Sequence, residues 1–370
     1  MRVLQVTTHM NMGGIANYVL SLSKVLRKRS VDCVIASSGG DMEEELRRNN
    51  IIHRPLDIRT KFEFGPKVLK SIRELKKIIN EERIDIVHAH TRVSQVAGYF
   101  AARMADTPYI TTCHGFFNKR LGRRLFDFWG GKVIAISGPV KESLVNDFGV
   151  KPERIKVIHN GVDVDRFLKA YSPGEIQDIK RALALKAVPV IGTIGRLSSV
   201  KGHVFFIEAF KDMLAKGRHA EGIIVGNGPE EEGLKKLVRR YGMEGSFHFF
   251  ASDADTARYL AAMDVFVFPS VKEGLGLSLL EAMAAARPCV ASRIGGISDI
   301  ITDGENGILF SVGDTKALAD SIMRLVDNDD MRMRFGESAR RLVKERFSLD
   351  IMADRISNLY SEVISSYASG

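Results

Sequence analysis

Cysteine is scarce in this chain: Cys33, Cys113 and Cys289 are three among 370 residues, odd in number, widely spaced and each set in an apolar, strand-like run. That usage excludes a disulfide framework and reads as buried thiols in a reducing compartment. Long apolar runs are missing as well, none approaching the about 18 residues that a membrane-spanning helix requires. Arg2 opens the first strand with no charged leader, apolar core and small-residue cleavage site before it, so no secretory signal is expected and a cytoplasmic protein is. Low-complexity tracts and short-period repeats are absent. A content of 45% hydrophobic and 27% charged residues excludes disorder, and 370 residues exceed the usual single core, so two domains are expected.

What is present begins with charge. The net +9 is uneven: residues 1–160 carry 27 Lys and Arg against 16 Asp and Glu, an excess of 11, and the remainder carries 27 against 29. The basic residues gather at Arg27-Lys28-Arg29, at Lys76-Lys77 and in the segment Lys119 to Trp129, where Arg120, Arg123 and Arg124 stand beside Leu, Phe and the only tryptophan. Such a mixture suits an anionic membrane surface or a phosphate-bearing substrate. Nucleic acid is the weaker partner reading, and a solvated helix face whose aromatics turn inward remains the plain alternative.

Strand-like and helix-like runs alternate almost from end to end, which predicts an α/β fold of doubly wound parallel sheets with helices on both faces. In the first half the strands are expected at Val3 to Thr8, VDCVIAS, IDIVHAH, PYITTCHG, KVIAIS and IKVIHNGV, with a helix from about Ile15 to Arg29. The pattern weakens from Asp165 to Lys186, where a hinge is expected, and resumes with strands at VPVIGTIGRL, EGIIVGNG, SFHFFAS, DVFVFPS, PCVASR and NGILF. The boundaries that follow are residues 1–165, residues 186–346 and a terminal amphipathic helix over 347–370.

The segment FPSVKEGLGLSLLEAMAAARPCVAS is the most informative. A buried strand turns into a buried helix through Gly274, Leu275 and Gly276, which bring backbone amides close to a ligand at a strand's carboxyl end. Glu273 stands in that mouth. Glu281 lies about one turn into the helix on an apolar stretch, where an ionised carboxylate needs donors; ribose hydroxyls supply them in one reading, and a pair with Arg196 or Arg293 in the other. Arg196 and Lys201, beyond the strand IGTIGRL, suit a pyrophosphate, one as a bidentate clamp and the other as a point charge; alternatively Glu273 or Glu281 balances them. Asn227 ends another strand in a Gly-Asn-Gly-Pro loop of a kind that often needs no function.

In the first half, Gly13-Gly14 follows the first strand and precedes a helix, so it serves either a phosphate or only a tight turn. It is not the three-glycine dinucleotide fingerprint, and no acidic residue ends VDCVIASSGG to bind an NAD ribose. His88 and His90 read as satisfied structural residues, whereas His114, at the end of PYITTCHG, is expected to bond a substrate hydroxyl. No histidine has metal-ligand spacing. Asp163-Val164-Asp165 and Asp253-Ala254-Asp255 are rejected as metal sites, the first because it follows Asn160-Gly161 at the domain junction and the second because it reads as a helix cap.

With these pieces in order, nearly the whole chain resembles the retaining glycosyltransferases of family 4 (glycosyl transferases group 1), which have the two-domain GT-B fold. The resemblance rests on Glu273 to Glu281, GRLSSVKG, Gly13-Gly14, the HAH strand end, His114-Gly115 and IHNGVD taken together. It implies two Rossmann-like domains facing a cleft, an acceptor domain first and a nucleotide-sugar donor domain second, with the last helix crossing back to the first. It also implies a retaining, metal-independent hexosyltransferase with a UDP- or GDP-linked donor, no cofactor, and a lipid-linked or glycan acceptor in lipopolysaccharide, exopolysaccharide or glycolipid synthesis. In that frame Glu281 holds the ribose, Arg196 and Lys201 the diphosphate, and Glu273 with the amides after it the donor sugar. Gly14 approaches the diphosphate across the cleft and His114 bonds the transferred sugar. A peripheral place on the inner face of the membrane is the further expectation that the basic first half raises. A sugar-nucleotide epimerase of the same fold and a non-catalytic basic binding module are the alternatives. Two departures stand out: Ala286 and Ala251 occupy positions where the family commonly has glycine. At Ala286 only local packing is expected to suffer, while Ala251 bears on base preference, because the loop after that strand usually meets the nucleobase.

Overall fold

The structure, a computed structural model, describes residues 1–60, 62–117, 127–168, 171–252 and 255–369. It divides into two compact units, Met1–Gly161 with Leu349–Gly370, and Val162–Ser348.

The first unit is built on a parallel sheet of β1 (Arg2–Val6), β2 (Asp32–Ser37), β3 (Ile52–Pro55), β4 (Ile86–Ala89), β5 (Tyr109–Cys113), β6 (Lys132–Ala135) and β7 (Ile155–Val157), in the order β3-β2-β1-β4-β5-β6-β7. Its interior strands are largely apolar and buried because helices cover both faces, leaving no solvent side for alternation to mark. One face is filled by Val3, Ile35, Ile86, Ile110 and Ile134, against which the helix Gly14–Lys28 lays Val19, Leu22 and Leu26. The same cluster takes Met352, Ile356, Leu359 and Tyr360 from the helix Leu349–Ala368, so the end of the chain completes the core that its beginning starts. Arg29 ties the two helices by ion pairs to Asp350 and Asp354 at 2.9 and 2.7 Å. The other face packs Leu4, Val34 and Val87 against the helices Pro66–Glu81 and Arg92–Met104. The edge strand β3 is the one element of this sheet not anticipated. It reads IHRP, is largely exposed and ends in proline, so neither apolar run nor alternation betrays it.

The second unit repeats the plan with β8 (Val190–Ile194), β9 (Glu221–Val225), β10 (Phe247–Phe250), β11 (Val265–Phe268), β12 (Cys289–Ser292) and β13 (Ile308–Phe310), ordered β10-β9-β8-β11-β12-β13. All six fall in the runs expected of them. The segment expected to be a hinge belongs to this unit: the helix Pro173–Ala182, closed by a Ser172–Glu175 capping box, lies on the helix Thr256–Ala262, and Lys180 Nζ pairs with Asp264 at 3.2 Å. The chain instead changes unit at Gly161 and Val162 and returns at Ser348 and Leu349, where Val162 N–H donates to the Phe347 carbonyl at 2.9 Å.

Ala286 departs from expectation. Its φ of +53° is left-handed, so an L residue there carries backbone strain and not a packing effect alone.

Candidate active site

In a doubly wound sheet, the crevice outside the strand carboxyl ends opens where the winding reverses. In the second unit that point lies between β8 and β11, which are hydrogen-bonded neighbours, and their following loops carry Arg196 and Lys201 on one side and Glu273 to Gly276 on the other. The loops are locked together at Gly202, whose φ of +64° and 2.0 Å clearance between an added Cβ and the Pro269 carbonyl oxygen admit glycine alone. Val271 N–H also donates to the Val200 carbonyl at 2.8 Å. The result is a contact that the separate motifs left open: Lys201 Nζ meets Glu273 Oε2 at 2.7 Å and lies 5.4 Å from the centroid of the Phe268 ring. Lys201 is therefore held in place by its own neighbours.

Arg196 is different. Its side chain is exposed, no carboxylate among the described residues pairs with it, and its loop is fixed through the backbone. His203 donates from Nε2 to the Arg196 carbonyl at 3.2 Å, and Leu197 N–H donates to the Asn227 carbonyl at 3.0 Å. Burial drives the His203 pKa down to about 4, so the ring is a neutral brace. Asn227 is a brace too, since its side-chain oxygen accepts from Ser252 N–H at 3.3 Å and ties the loops after β8, β9 and β10 together. His203 was not singled out by sequence, because a histidine after Lys-Gly carries no pattern of its own.

Gly276, at φ +94°, ends the glycine turn and stands at the N-cap of the helix Leu277–Ala284 with no side-chain cap and no acidic residue in the first turn. The opening amides of that helix are left for an anion or a sugar oxygen. Leu275 is buried beneath them and Gly274 is half-buried. Glu281, further along the same helix and half-buried, does not take the arginines proposed for it; Arg293 pairs with Asp303 instead. Its neighbours are Arg166 and Thr256, whose charge and hydroxyl pull its pKa down, but desolvation is stronger and raises it from 4.5 to about 7. Arg166 Nη2 also lies 3.5 Å from Thr256 Oγ1. Neither residue was singled out by sequence. Arg166 sits in the short helix Val164–Phe167, whose N-cap is Asp163, which gives that aspartate a structural role.

In the first unit the reversal lies between β1 and β4. Gly13 is extended, at φ 167°, and a Cβ added at Gly14 would meet nothing within 4 Å, so the pair is not a tight turn demanded by the backbone. Both are exposed at the start of the helix Gly14–Lys28. His114 follows β5, is half-buried, and contacts His90 at 3.1 Å and the edge of the Tyr18 ring at 4.6 Å between centroids. Burial lowers its pKa to about 3, leaving it neutral. His88 and His90 are fully buried, hydrogen-bonded and neutral for the same reason. Of the basic aromatic segment, residues 119–126 lie outside the described residues. Phe128 and Trp129 are buried, with the Arg92 guanidinium 5.6 and 5.2 Å from their ring centroids, so these aromatics pack inward and are not available to a membrane. Asp253 and Ala254 are likewise outside the description, while Asp255 stands at an N-cap without a capping hydrogen bond. Among the described residues no group of three or more metal-ligating side chains gathers, and no helix is long and apolar enough to cross a membrane.

Two sheets reversing at their midpoints, each with its glycine turns and polar residues at the strand ends, define the architecture of a GT-B protein. Residues 12–166 match the family described as Glycosyltransferase Family 4, and residues 175–342 match Glycosyl transferases group 1. Among curated relatives, an Escherichia coli UDP-Gal:alpha-D-GlcNAc-diphosphoundecaprenol alpha-1,3-galactosyltransferase is 28% identical over 80% of this chain and 80% of its own. The N-acetyl-alpha-D-glucosaminyl L-malate synthase of Bacillus anthracis is 26% identical over 97% of this chain and 96% of its own. Among solved structures, a glycosyltransferase of Rickettsia africae superposes with a TM-score of 0.89 at 24% identity, covering 98% of each chain. HepE of Anabaena, solved with UDP and glucose, superposes at 0.87 and 23% identity over 98% of this chain and all of its own. The chain belongs to the family 4 glycosyltransferases.

Proposed function

We propose that the protein is a retaining, metal-independent hexosyltransferase that moves a sugar from a UDP- or GDP-linked donor to a lipid-linked or glycan acceptor in cell-surface polysaccharide or glycolipid synthesis. The observation that carries this reading is the arrangement at the second sheet's reversal point: an exposed Arg196 with no carboxylate partner among the described residues, a Lys201 already oriented by Glu273, and a helix start at Gly276 with no side-chain cap. Arg196 and Lys201 hold the diphosphate, Glu281 accepts from the ribose hydroxyls, and Glu273 with the amides of Gly274, Leu275 and Gly276 contacts the donor sugar. Asn227 supports the base-side loops. Gly14 lends close backbone approach to the diphosphate and His114 bonds the transferred sugar. In the step itself the anomeric C–O bond to the diphosphate breaks, the acceptor oxygen forms its bond on the same face, and the acceptor proton passes to the departing phosphate oxygen. The two cations stabilise the charge that develops there.

The acceptor class is supported by relatives. The Escherichia coli galactosyltransferase acts, by its name, on a diphosphoundecaprenol-linked sugar, and a Staphylococcus aureus relative at 26% identity is named for capsular polysaccharide biosynthesis. A place on the membrane surface is supported by the basic first half, and by Phe62, Phe64 and Leu69, which are 75%, 56% and 65% exposed beside Lys67 and Lys70. The test is incubation with UDP-, GDP-, ADP- and TDP-sugars alone and with polyprenyl-diphosphate sugars, followed by proton NMR of the product. Transfer with unchanged anomeric coupling, insensitive to EDTA, is expected. Inversion would refute the retaining assignment, and conversion of the donor to its epimer without transfer would replace it with the epimerase reading.

A further inference from the structure

Beneath the strand ends of the first unit runs a chain of buried polar side chains that the packing of an apolar core does not require. Gln5 on β1, His88 on β4, His90 just after it and Thr112 on β5 are all buried, and Tyr360 reaches them from the helix Leu349–Ala368. Starting at half-buried His114, Nε2 lies 3.1 Å from His90 Nδ1, and His90 Nε2 lies 2.6 Å from Gln5 Oε1. The Gln5 amide donates to the Tyr360 hydroxyl at 3.1 Å, that hydroxyl meets His88 Nδ1 at 2.7 Å, and His88 Nε2 meets Thr112 Oγ1 at 2.7 Å.

The chain has a direction. Each neutral imidazole carries one N–H, and an amide oxygen only accepts. His90 therefore donates from Nε2 to Gln5 and accepts at Nδ1 from the Nε2–H of His114. On the other side of Gln5, the Tyr360 oxygen accepts from the amide, and its own buried proton requires an acceptor, which His88 Nδ1 supplies; His88 then donates from Nε2 to Thr112. All three histidines share the Nε2–H tautomer. Turning the Gln5 amide over would reverse every bond and move all three protons to Nδ1, so one amide sets the whole chain. In the orientation seen, His114 keeps a bare lone pair on Nδ1, for which no partner exists among the described residues.

We propose that Gln5, His90 and Tyr360 are positioning residues that fix His114 as a hydrogen-bond acceptor, through Nδ1, for a hydroxyl of the transferred sugar. The sugar must then donate at that position: a deoxy or fluoro analogue, neither of which can donate, is rejected alike. The sugar's part in this rests on the glycosyl-transfer reading, whereas the tautomer does not. Long-range proton–nitrogen correlation spectra of the protein labelled with nitrogen-15 histidine, with His114 assigned by His114→Gln, measure it directly. At pH 7, His88, His90 and His114 are expected neutral and protonated on Nε2. A His114 that is cationic or protonated on Nδ1 would overturn the proposal, whatever the variants do. In Tyr360→Phe, and independently in Gln5→Leu, the His114 signals are expected to shift toward a mixture of tautomers. Unchanged signals in a folded variant would remove that residue from the role. Tyr360→Phe is further expected to lower kcat of donor hydrolysis about tenfold, the rate equivalent of one net hydrogen bond, with donor KM within about twofold. Stabilisation by UDP alone separates the two failures: its absence counts against the donor assignment, while a wrong tautomer in a protein that UDP stabilises counts against the relay.

Discussion

Glu281 carries opposed demands of stability and binding, and Glu281→Gln exposes both. Burial raises the folded-state pKa from 4.5 to about 7, despite the opposing pull of Arg166 and Thr256. Below pH 4.5 the carboxyl is protonated in both the folded and the unfolded chain and contributes no difference. Between the two values the folded state binds more protons than the unfolded one, so stability falls as pH rises; above about 7 the penalty is complete. At about 1.4 kcal/mol per pH unit, the full penalty is ~3.5 kcal/mol, an upper figure because a half-buried carboxyl keeps some solvent. Glutamine imitates the protonated form at every pH. Its advantage over the wild type is therefore expected to grow from about a quarter of the full penalty at pH 5 to nearly all of it at pH 8, a rise of roughly 2.5 kcal/mol, or at most about 10 °C in melting temperature at about 2–4 °C per kcal/mol for a unit of this size. Melting curves by circular dichroism across that range test it. A difference that does not change between pH 5 and pH 8 would refute the burial argument. The same variant is expected to bind UDP at least tenfold more weakly at pH 8, because an amide replaces the charge-assisted acceptor of the ribose.

Other outcomes follow from single contacts. Ala286→Gly removes a left-handed strain of about 1–2 kcal/mol at a glycine entropy cost of about 0.5–1 kcal/mol, so chemical denaturation is expected to show a net gain of roughly 0.5–1 kcal/mol. Lys201→Met strands a half-buried Glu273 and is expected to lose about 1–2 kcal/mol, a value between exposed and buried pairs, measured by the same titration; no loss would show the 2.7 Å pair to be energetically idle. Phe62→Ser with Leu69→Ser is expected to reduce sedimentation with anionic vesicles at least several-fold with little change in melting temperature, and undiminished sedimentation would dismiss this patch as a membrane contact.

Much of this architecture was legible in the chain because a parallel strand buried on both faces is a largely apolar run, as β11 (Val265–Phe268) and β12 (Cys289–Ser292) of the second unit are. The edge strand β3 was not, since Ile52 to Pro55 has no buried face to encode. Spacing placed Glu273, Gly276, Arg196 and Lys201 at strand ends of the same half, but neither the adjacency of those strands nor the residues' pairings. Lys201 takes Glu273 because Gly202 draws two loops together, a contact between backbones that no side-chain pattern records. Arg166 and Thr256 reach Glu281 only through the fold, as does Tyr360, which bonds Gln5 from 355 positions away. The hinge was misplaced for a related reason: a weak amphipathic helix over Pro173–Ala182 looks like a linker until its ion pair to Asp264 is seen.

The central claim is that the strand ends of the second unit hold a nucleoside diphosphate through Arg196 and Lys201. Calorimetric titration of UDP and GDP into the wild type and into Arg196→Ala tests it most directly. Saturable binding of one nucleotide is predicted, weakened at least tenfold in the variant, with the melting temperature of the free protein unchanged because Arg196 is exposed and pairs with no carboxylate among the described residues. Equal affinity in both proteins, or no binding of either nucleotide to the wild type, would contradict it.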